Sequence, residues 1–419
     1  MQQGEAKGAG VAQQPAYPEI AYLLSSFPAL SETFIAQEIL ELERQKLPLH
    51  LYSLSQPTTG AGVAVEWQGK APLKYLATGA KFVLLAHLGW CLLAAPLRVF
   101  KALLLMSRYY GARSAISSLL YAAYLAGQLQ RRQIHHLHAH YATEPATIAQ
   151  AVHLLTGISY SFTAHAYDIY LSPRDALRYK MRMARFVVTC TAYNRQYLVE
   201  IDENLSERIH CIYHGLNLRQ FPASTGMGDT QCEPCILAVS RLIEKKGLSY
   251  LVRACRILKD RGYRFTLRIA GEGPLHEALE QEIDTLGLSE RASLLGAVAH
   301  KEVVELYQQA AIVALPCIIG KNGDRDGIPN VLVEALCMGV PVVSTPISGI
   351  PELISHEVNG LLVPPQDSEA LAEALARLLD DAELRHQLTL AGRETVLERF
   401  DMARNATRLL ELLCGEKEQ

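Results

Sequence analysis

The chain lacks any hydrophobic run long enough to cross a membrane and has no extreme of charge. Across its 419 residues the longest apolar stretch, Phe82–Met106, is interrupted by Pro96, Arg98 and Lys101, whereas a transmembrane helix needs about 20 nearly uninterrupted apolar residues. A formal net charge of −3 argues against a general nucleic-acid-binding protein. Residues 1–18 show no signal-peptide pattern and are expected to be disordered. These absences predict a cytoplasmic protein, and its length predicts two folded domains.

Acidic residues are missing from one long interval. Between Glu66 and Glu144 there is no Asp or Glu, although the interval holds nine Lys and Arg residues. A basic, apolar stretch of this kind is typical of helices that lie on an anionic membrane surface. Helices that pack on the protein's own core, with basic residues towards solvent, are the alternative. The insert at 70–132 is therefore a candidate for peripheral contact with the inner face of the cytoplasmic membrane.

Motifs for metals and dinucleotides are sparse. Cys232 and Cys235 form a lone Cys-x-x-Cys pair without two further ligands nearby, so a zinc or redox site is not expected. Neither a G-x-G-x-x-G fingerprint nor a Walker lysine occurs, which disfavours dinucleotide and P-loop sites. Asp324 and Asp326 have the D-x-D spacing of a metal-bound diphosphate site. Cationic side chains predicted beside them reduce the need for a metal ion, so we expect no metal and no cofactor.

Strand-like apolar runs alternate with helical patterns along almost the whole chain. This alternation predicts an α/β fold with two doubly wound, Rossmann-like domains that face each other across a cleft. Ligands of such folds bind at the carboxyl ends of the strands. The Gly-, Ser- and Thr-rich stretch Pro222–Asp229 marks the boundary. The predicted units are a first domain at 19–221, which includes the insert, a second domain at 230–400 and a terminal segment at 401–419.

The segment Asp326–Glu334 is the strongest indication of a ligand site. Its Gly-Ile-Pro-Asn sequence predicts the start of a helix, with Pro329 in the first turn. Free N–H groups and the positive end of the helix dipole at such a start bind phosphate. Glu334, one to two turns further on, would lean back and accept hydrogen bonds from sugar or ribose hydroxyls, unless it is an ordinary helix glutamate. The residues assigned to nucleotide-sugar binding here are Gly327, Ile328, Pro329, Asn330 and Glu334.

Two cations and two glycines follow neighbouring predicted strands of the second domain. Arg241 and Lys246 stand in the turn after the first of these strands, where they could clamp a diphosphate. Gly271 and Gly273 follow the next strand and permit close approach of a ligand. A tight turn without a ligand explains the glycines equally well.

A histidine stands at the end of a predicted strand in the first domain. The imidazole of His165, next to Asp168, could contact a sugar hydroxyl or face positive charge developing at an anomeric carbon. His136, His138 and His140 alternate along a neighbouring run without carboxylates in order. A structural or solvent-facing role is therefore predicted for these three.

The first strand-to-helix loop offers further polar groups. Ser31, Glu32 and Thr33 are candidates for contact with phosphate or acceptor, although helix capping alone explains Ser31. Ser348 and Gly349 follow a later strand and could shape the donor pocket.

These residues together resemble the retaining GT-B glycosyltransferases of family 4. Within that family, the first strand-to-helix loop and Asp326–Asn330 look most like enzymes of bacterial exopolysaccharide (colanic-acid-type) assembly. By position, the resemblance assigns Arg241 and Lys246 to the diphosphate, Glu334 to the ribose and His165 to the anomeric centre. Asp326 stands where the family has a Glu that touches the donor sugar, and it is one methylene shorter.

The resemblance implies a retaining, metal-independent hexosyltransferase. The second domain would bind a nucleoside-diphosphate sugar and the first a saccharide or lipid-linked acceptor, with a final helix in 401–419 crossing back to the first domain. Front-side attack, with the leaving diphosphate oxygen taking the acceptor proton, would need no protein nucleophile. The alternatives are an epimerase or phosphorylase on the same fold and a non-catalytic sugar-nucleotide binding module.

Overall fold

The computed structural model describes residues 17–29, 33–57, 67–76, 81–221 and 233–415. Several expectations therefore fall outside the described residues: the disorder of residues 1–16, the boundary loop Pro222–Asp229, and the roles of Ser31, Glu32 and Cys232.

The first domain is built on a seven-stranded sheet in the order β3-β2-β1-β4-β5-β6-β7. All neighbouring strands pair in parallel. The strands are β1 Ile20–Ser26, β2 Leu49–Ser55, β3 Leu73–Tyr75, β4 His136–His140, β5 Ser159–Ala164, β6 Val187–Thr189 and β7 Ile209–Cys211.

The second domain is built on a six-stranded parallel sheet in the order β10-β9-β8-β11-β12-β13. In both sheets the strand order reverses beside the first strand, so the carboxyl ends form a crevice for ligands. The strands are β8 Cys235–Val239, β9 Thr266–Ala270, β10 Ala292–Gly296, β11 Ala310–Leu315, β12 Val342–Ser344 and β13 Leu361–Leu362.

Helices connect the strands on both faces of each sheet, which confirms the predicted α/β class with two doubly wound domains. In the first domain they are α1 Thr33–Arg44, α2 Lys81–Ala94, α3 Pro96–Tyr110, α4 Ala112–Arg131, α5 Glu144–Thr156, α6 Tyr167–Tyr170, α7 Arg174–Met183 and α8 Ala192–Ile201. The later helices are α9 Leu248–Asp260, α10 His276–Thr285, α11 His300–Gln309, α12 Asn330–Met338, α13 Ile350–Leu353, α14 Ser368–Asp380, α15 Ala382–Arg399 and α16 Met402–Cys414.

One predicted helix start needs correction. The sequence placed Pro329 inside the first turn, but α12 begins at Asn330 and Pro329 is the residue before it, with φ −62° and ψ 123°. The extended ψ of Pro329 turns the chain into the helix. The fixed φ of proline suits this position as well as it suits the first turn.

The last helix, α16, packs on the first domain. Its Leu409, Leu410 and Leu413 are buried in one cluster with Ile35 and Ile39 of α1. Burial of each such leucine contributes roughly 1.5–3 kcal/mol. The end of the chain is thereby fixed to the first domain although α15 belongs to the second.

The chain passes between the domains twice at one place. Leu216 N donates to Phe400 O at 2.6 Å and Met402 N donates to Leu216 O at 3.2 Å. A Cβ on Gly215 would lie 2.3 Å from Met402 Cα, so only glycine permits this approach. Two adjacent crossings of this kind form a compact joint.

The basic insert forms α2, α3 and α4. Helices α2 and α3 meet at 116°, and neither is long and apolar enough to span a bilayer, although the bent pair passes such a test by length and composition. Large apolar side chains on α2 and α3 face solvent, among them Leu93 at 87% and Leu97 at 83% exposure. Other side chains of the insert, among them Val99, Met106 and Leu119, are buried in the first-domain core. The insert therefore packs on the core, as the alternative predicts, and also exposes an apolar face.

Candidate functional site

Two consecutive lysines and two aspartates form a buried charge cluster in the second domain. Lys246 Nζ donates to Asp326 Oδ2 at 2.7 Å. Lys245 Nζ lies 3.0 Å from Asp324 Oδ1 and 3.3 Å from Asp326 Oδ1. The lysines follow β8 and the aspartates follow β11, its neighbour in the sheet, so the carboxyl ends of two adjacent strands bring the four charges together.

This cluster stays charged although it is buried. Burial alone would raise the pKa of Asp326, but Lys246 and Lys245 outweigh it and lower that pKa below its ordinary value. Burial would likewise lower the pKa of Lys246, and Asp326 reverses the shift and raises it. Each partner thus stabilises the ionised form of the other.

The remaining predicted cation lies beside the cluster. Arg241 is exposed, and it is close enough for its charge to oppose that of Lys246. Its guanidinium has no hydrogen bond or ion pair to any residue that the structure describes. An exposed cation next to a buried one can meet an anionic ligand without first breaking an internal pair.

The glycines after β9 fit against the chain itself. A Cβ on Gly271, whose φ is +136°, would lie 1.9 Å from Ser240 O, and a Cβ on Gly273 would lie 2.5 Å from Leu242 O. Leu242 N donates to Glu272 O at 2.8 Å. The close approach that the sequence predicts is therefore made by the loop that carries Arg241. These glycines hold that loop in place, and their contact with a ligand stays a prediction.

Glu334 points into the protein beneath the start of α12. It is 9% exposed, and the Tyr307 hydroxyl of α11 donates to its Oε2 at 2.9 Å. Burial raises the pKa of Glu334 to about 7 against a smaller lowering effect of Tyr307. Glu334 can thus exchange a proton near neutral pH, and its second oxygen is available for a ligand hydroxyl.

The start of α12 meets the first domain. The side chain of Asn330 lies close enough to His214 to raise the pKa of that ring, and a Cβ on Gly327 would lie 3.4 Å from Cys190 Sγ and 3.3 Å from Thr191 Cγ2. Ile328 packs against the second-domain core. The segment that the sequence assigns to the nucleotide sugar therefore forms part of the contact between the domains.

His165 lies at the centre of a buried cluster of rings. Its Nδ1 lies 3.0 Å from His214 Nε2, and its Nε2 lies 3.4 Å from His140 Nδ1. Phe34 stacks on His214 with ring centroids 4.1 Å apart. Burial, aided by the neighbouring histidines, lowers the pKa of His165 well below its usual value. At neutral pH the ring is uncharged, as a hydrogen-bond partner for a sugar requires.

Asp168 holds the loop around His165. Its carboxylate accepts hydrogen bonds from the backbone N–H groups of Ala142 at 2.7 Å, His165 at 3.0 Å and Ala166 at 2.9 Å. Burial raises the pKa of Asp168 against the lowering effect of these bonds. Its oxygens are committed to the backbone, so Asp168 positions His165.

The other histidines of β4 are structural. His136 and His138 are buried and alternate with the hydroxyls of Ser159, Ser161 and Thr163 on β5 at 2.7 to 2.9 Å. This arrangement removes the solvent-facing alternative for both rings.

One group of side chains has atoms placed as a metal site requires. Ligand atoms of His165, Cys190 and His214 lie within 4.8 Å of one another. Burial raises the pKa of the Cys190 thiol, which opposes the thiolate that metals bind. The carboxylates of Asp324 and Asp326 are engaged by lysines. The expectation that no metal takes part stays a prediction.

Four buried hydroxyls lack hydrogen-bond partners within the described ranges, and two of them follow strands of the second sheet. These two are Oγ of Ser240, after β8, and Oγ of Ser348, after β12. Ser348 has φ +49°, a strained conformation for serine that is often found at ligand sites. Thr33, the described member of the acceptor or phosphate loop, begins α1.

Comparisons with known proteins agree with this architecture. The family model for Glycosyltransferase Family 4 matches residues 83–220, and the model for Glycosyl transferases group 1 matches residues 229–395. The chain belongs to the family 4 glycosyltransferases of the GT-B fold. The resemblance predicted from the sequence is thereby confirmed.

Named relatives match parts of this glycosyltransferase. The amylovoran biosynthesis glycosyltransferase AmsK of Erwinia amylovora is 37% identical over 50% of this chain and 51% of its own. WcaL of Escherichia coli (strain K12), named for colanic acid biosynthesis, is 43% identical over 36% of this chain and 37% of its own. The chain thus spans about half, or less, of the length of these curated relatives.

Solved structures match over nearly the full length. A glycosyltransferase from Rickettsia africae ESF-5 has a TM-score of 0.72 at 17% identity, covering 96% of this chain and 100% of its own. Anabaena HepE in complex with UDP and glucose has a TM-score of 0.72 at 18% identity, covering 95% and 99%. At such low identities the likeness shows the fold alone.

Several residues of the glycosyltransferase site escaped the sequence analysis. His214 follows β7 as His165 follows β5, so the strand-end rule that found His165 could have found it too. Lys245 precedes the predicted Lys246 and shares its partner. Glu38, inside α1, and Tyr307, inside α11, carry no local sequence signal of a role in the site.

Proposed function

We propose that this glycosyltransferase moves a hexosyl group from a nucleoside-diphosphate sugar to a saccharide or lipid-linked acceptor, with retention of configuration. The observation that carries the proposal is the Lys245–Lys246–Asp326 cluster at the carboxyl edge of the second sheet. It stands beside the start of α12, where Gly327 lies against Cys190 and Thr191 of the first domain. The neighbour HepE, whose structure contains UDP and glucose, supports a nucleotide-sugar donor.

The cationic side chains explain how the donor would be activated. When the anomeric C–O bond breaks, negative charge develops on the leaving diphosphate. Arg241 and Lys246 supply positive charge that is already in place, so little reorganisation is needed during the reaction. Asp326 keeps Lys246 charged and orients it, and its second oxygen would be near the donor sugar.

Retention follows from attack on the face that the diphosphate leaves. The acceptor oxygen forms the new bond while the departing phosphate oxygen accepts the acceptor's proton, so no covalent enzyme intermediate is required. Neutral His165, whose two ring nitrogens face His140 and His214, contributes its backbone loop at the reacting centre. We propose that no metal ion is needed, because lysine and arginine provide the countercharge.

The acceptor pathway is proposed from the relatives' names. AmsK and WcaL are named for the synthesis of amylovoran and colanic acid, which are extracellular polysaccharides. We therefore place this chain in bacterial exopolysaccharide assembly.

Acceptor-dependent release of nucleoside diphosphate tests the proposal. A thermal-shift screen with UDP, GDP, ADP and their sugars would first identify the donor, because a ligand that binds only the native state raises the melting temperature. We then expect diphosphate release that rises with a saccharide or lipid-linked acceptor, and a product with the donor's anomeric configuration. Product formation without any acceptor would instead indicate an epimerase or phosphorylase, and binding without turnover would indicate a binding module.

We also propose that α2 and α3 rest on an anionic membrane surface. Phe82, Leu85, Trp90 and Leu93 of α2 are exposed, as are Leu97, Phe100 and Leu104 of α3. Exposed apolar patches of this kind mark interaction surfaces. The chain from 67 to 143 has basic residues and no acidic ones, so its charge complements anionic lipids. Such a location would bring the enzyme to a lipid-linked acceptor.

Vesicle flotation tests this surface. We expect the protein to float with phosphatidylcholine vesicles that contain phosphatidylglycerol, less with pure phosphatidylcholine, and less as salt increases. The double variant Leu93→Gln, Leu97→Gln should lose flotation. Leu390→Gln is the matched control because Leu390 is an exposed leucine on α15 of the second domain. If the unaltered protein does not float with anionic vesicles, the proposed membrane contact is refuted.

A further inference from the structure

A chain of buried and half-buried side chains runs from α1 along the carboxyl end of the first sheet. Glu38 of α1 lies 3.2 Å from His140 at the end of β4. His140 lies 3.4 Å from His165, and His165 lies 3.0 Å from His214. Asn330, at the start of α12, lies close enough to His214 to raise the pKa of that ring. The chain therefore connects a carboxylate of α1 with the ring that meets the second domain.

The carboxylate gives this chain a direction. A carboxylate accepts hydrogen bonds and does not donate them, whereas a neutral imidazole has one donor and one acceptor nitrogen. When the three rings are neutral, His140 Nε2, which faces Glu38, carries the proton, and its Nδ1 accepts. His165 consequently donates from Nε2 and accepts at Nδ1, and His214 donates from Nε2. With the proton on Nδ1 of His140, its bare Nε2 would face the Glu38 oxygen.

The neighbouring histidines of β4, His136 and His138, have no carboxylate partner in the part of the chain that the structure describes, so nothing there fixes which of their nitrogens donates. His136 and His138 face serine and threonine hydroxyls, which can donate or accept by rotating. Either tautomer of these two rings is satisfied. Within the described residues, a carboxylate lies within hydrogen-bond distance of only one ring in this run, His140.

We propose that Glu38 is a positioning residue that fixes the tautomers of His140, His165 and His214. This inference rests on the proposed function, in which His165 lies beside the reacting carbon. Among the three rings Glu38 lies within hydrogen-bond distance of His140, and it acts on His165 and His214 through that ring. Its own second contact is the Tyr22 hydroxyl, which donates to Oε1 at 3.3 Å.

The burial of the rings makes a fixed tautomer consequential. His140 and His165 are buried, and burial lowers the pKa of His214 to about 4 against the raising effect of Glu38. Rings that stay neutral cannot donate from both nitrogens. If the proton of His165 were on Nδ1, this N–H would face the N–H that His214 donates from Nε2. Both rings would then have to shift. A displacement near 1 Å at a reacting centre costs up to about 100-fold in rate.

Nitrogen-15 NMR of histidine-labelled protein measures the tautomers directly. Nδ1 and Nε2 have different shifts in the two neutral forms, and single His→Gln variants assign the signals. In the unaltered protein we expect His140, His165 and His214 each to be protonated at Nε2. In Glu38→Gln, whose amide can donate to His140 Nε2, we expect His140 and His165 to shift towards protonation at Nδ1, while His138 is unchanged.

Kinetics provide the second readout. Glu38→Gln should lower kcat roughly 10- to 100-fold with the donor KM nearly unchanged, because the donor-binding groups are intact. Glu41→Gln is the matched control, since Glu41 lies one turn along α1 and pairs with Arg44 at the surface. This control variant should leave the tautomers of His140, His165 and His214, and kcat, as they are in the unaltered protein. Glu38→Asp, which keeps the carboxylate, should restore most of the Nε2–H signal.

The outcomes separate this inference from the proposed function. Unchanged tautomers at His165 and His214 in folded Glu38→Gln would refute the positioning role whatever the activity. Altered tautomers with unaltered kcat would refute its catalytic consequence. Should Glu38→Gln not fold, His140→Gln interrupts the same chain and is expected to release the His165 tautomer. A protein without transferase activity would refute the proposed function while the NMR result still decides whether Glu38 sets the tautomers.

Discussion

The first domain presents neutral rings to the cleft, whereas the second domain presents charges. Burial lowers the pKa of His165 and of His214, so the imidazoles stay uncharged. In the second domain Asp326 and Lys246 keep each other ionised despite burial. The difference suits a reaction in which one side orients neutral sugar hydroxyls and the other side stabilises a leaving anion. Glu334 of the second domain, whose pKa is raised, responds to acid in the opposite sense to these rings.

The largest expected effect is loss of stability of the first domain in acid. Buried histidines with lowered pKa values bind fewer protons than the unfolded chain, so their contribution to stability is complete above pH 6.5 and falls as pH decreases. For His136 the folded pKa is about 3, so each pH unit below 6.5 costs about 1.4 kcal/mol per such group. Urea unfolding at pH 7.5 and 5.5, followed by hydrogen exchange of β4 and β5, measures this loss.

A matched pair of variants isolates the histidine contribution. His138→Asn should reduce the pH dependence of the unfolding free energy by about 1.4 kcal/mol per unit, and His386→Asn, at an exposed position on α15, should leave it unchanged. An equal pH slope in both variants would contradict this assignment.

Next in size is removal of the buried cation of the second domain. Lys246→Ala should lower kcat by about 100-fold or more, as expected when one charge-stabilising donor at a reacting centre is lost. It also leaves Asp326 with Lys245 alone, so a lower melting temperature is expected. Steady-state kinetics under saturating donor measure the first effect. Lys301→Ala, an exposed lysine on α11, is the control, and turnover near that of the unaltered enzyme in Lys246→Ala would count against the mechanism.

Glu334 supplies the opposite pH response in the second domain. The folded pKa of Glu334, about 7, lies above the ordinary 4.5. The folded state therefore gains stability as pH falls from 7 to 4.5, and above pH 7 the buried, ionised carboxylate destabilises it. Glu334→Gln should therefore be more stable than the unaltered protein at pH 8, by about 1–3 kcal/mol, and similar at pH 5. It should also bind donor less tightly, because an amide accepts less strongly from a hydroxyl. Differential scanning calorimetry at the two pH values, with Glu280→Gln as the exposed control, decides the point.

Most of the fold follows from sequence periodicity, because buried parallel strands and amphipathic helices each leave a local pattern. The apolar run Thr266–Ala270 predicts a strand and the amphipathic pattern Leu248–Asp260 predicts a helix, and the structure has both elements with these bounds. The short edge strand Leu73–Tyr75 was not predicted. With three residues and partly exposed side chains, it forms because β2 offers a free edge, which no local pattern records.

The candidate site also has residues that the sequence predicts and residues that it does not. Strand-end positions such as His165 and Lys246 can be found because the carboxyl ends of parallel strands converge. The partners of these residues cannot, because Glu38 lies 102 residues from His140 and Tyr307 lies 27 from Glu334. Such pairs are set by packing between elements, and a single sequence carries no signal for them.

The smallest change in stability is expected at the contact between the two domains that Glu352 makes. Glu352 of α13 accepts hydrogen bonds from Ala192 N at 2.7 Å and Tyr193 N at 2.8 Å, the first amides of α8 in the other domain. The Tyr213 hydroxyl also donates to Glu352 at 2.9 Å. A carboxylate at a helix start satisfies free N–H groups and complements the dipole. Glu352 thus stabilises a helix of one domain from the other.

Glu352→Ala should cost about 1–2 kcal/mol and should uncouple the domains. If the carboxylate links them, the variant will unfold in two transitions, with the first domain alone moving to lower urea as pH falls. Glu352→Gln, which keeps one acceptor oxygen, should retain part of the coupling. A single transition in Glu352→Ala, with both sheets losing exchange protection together at pH 5.5, would show that the packed joint at Leu216 and Met402 couples the domains without it.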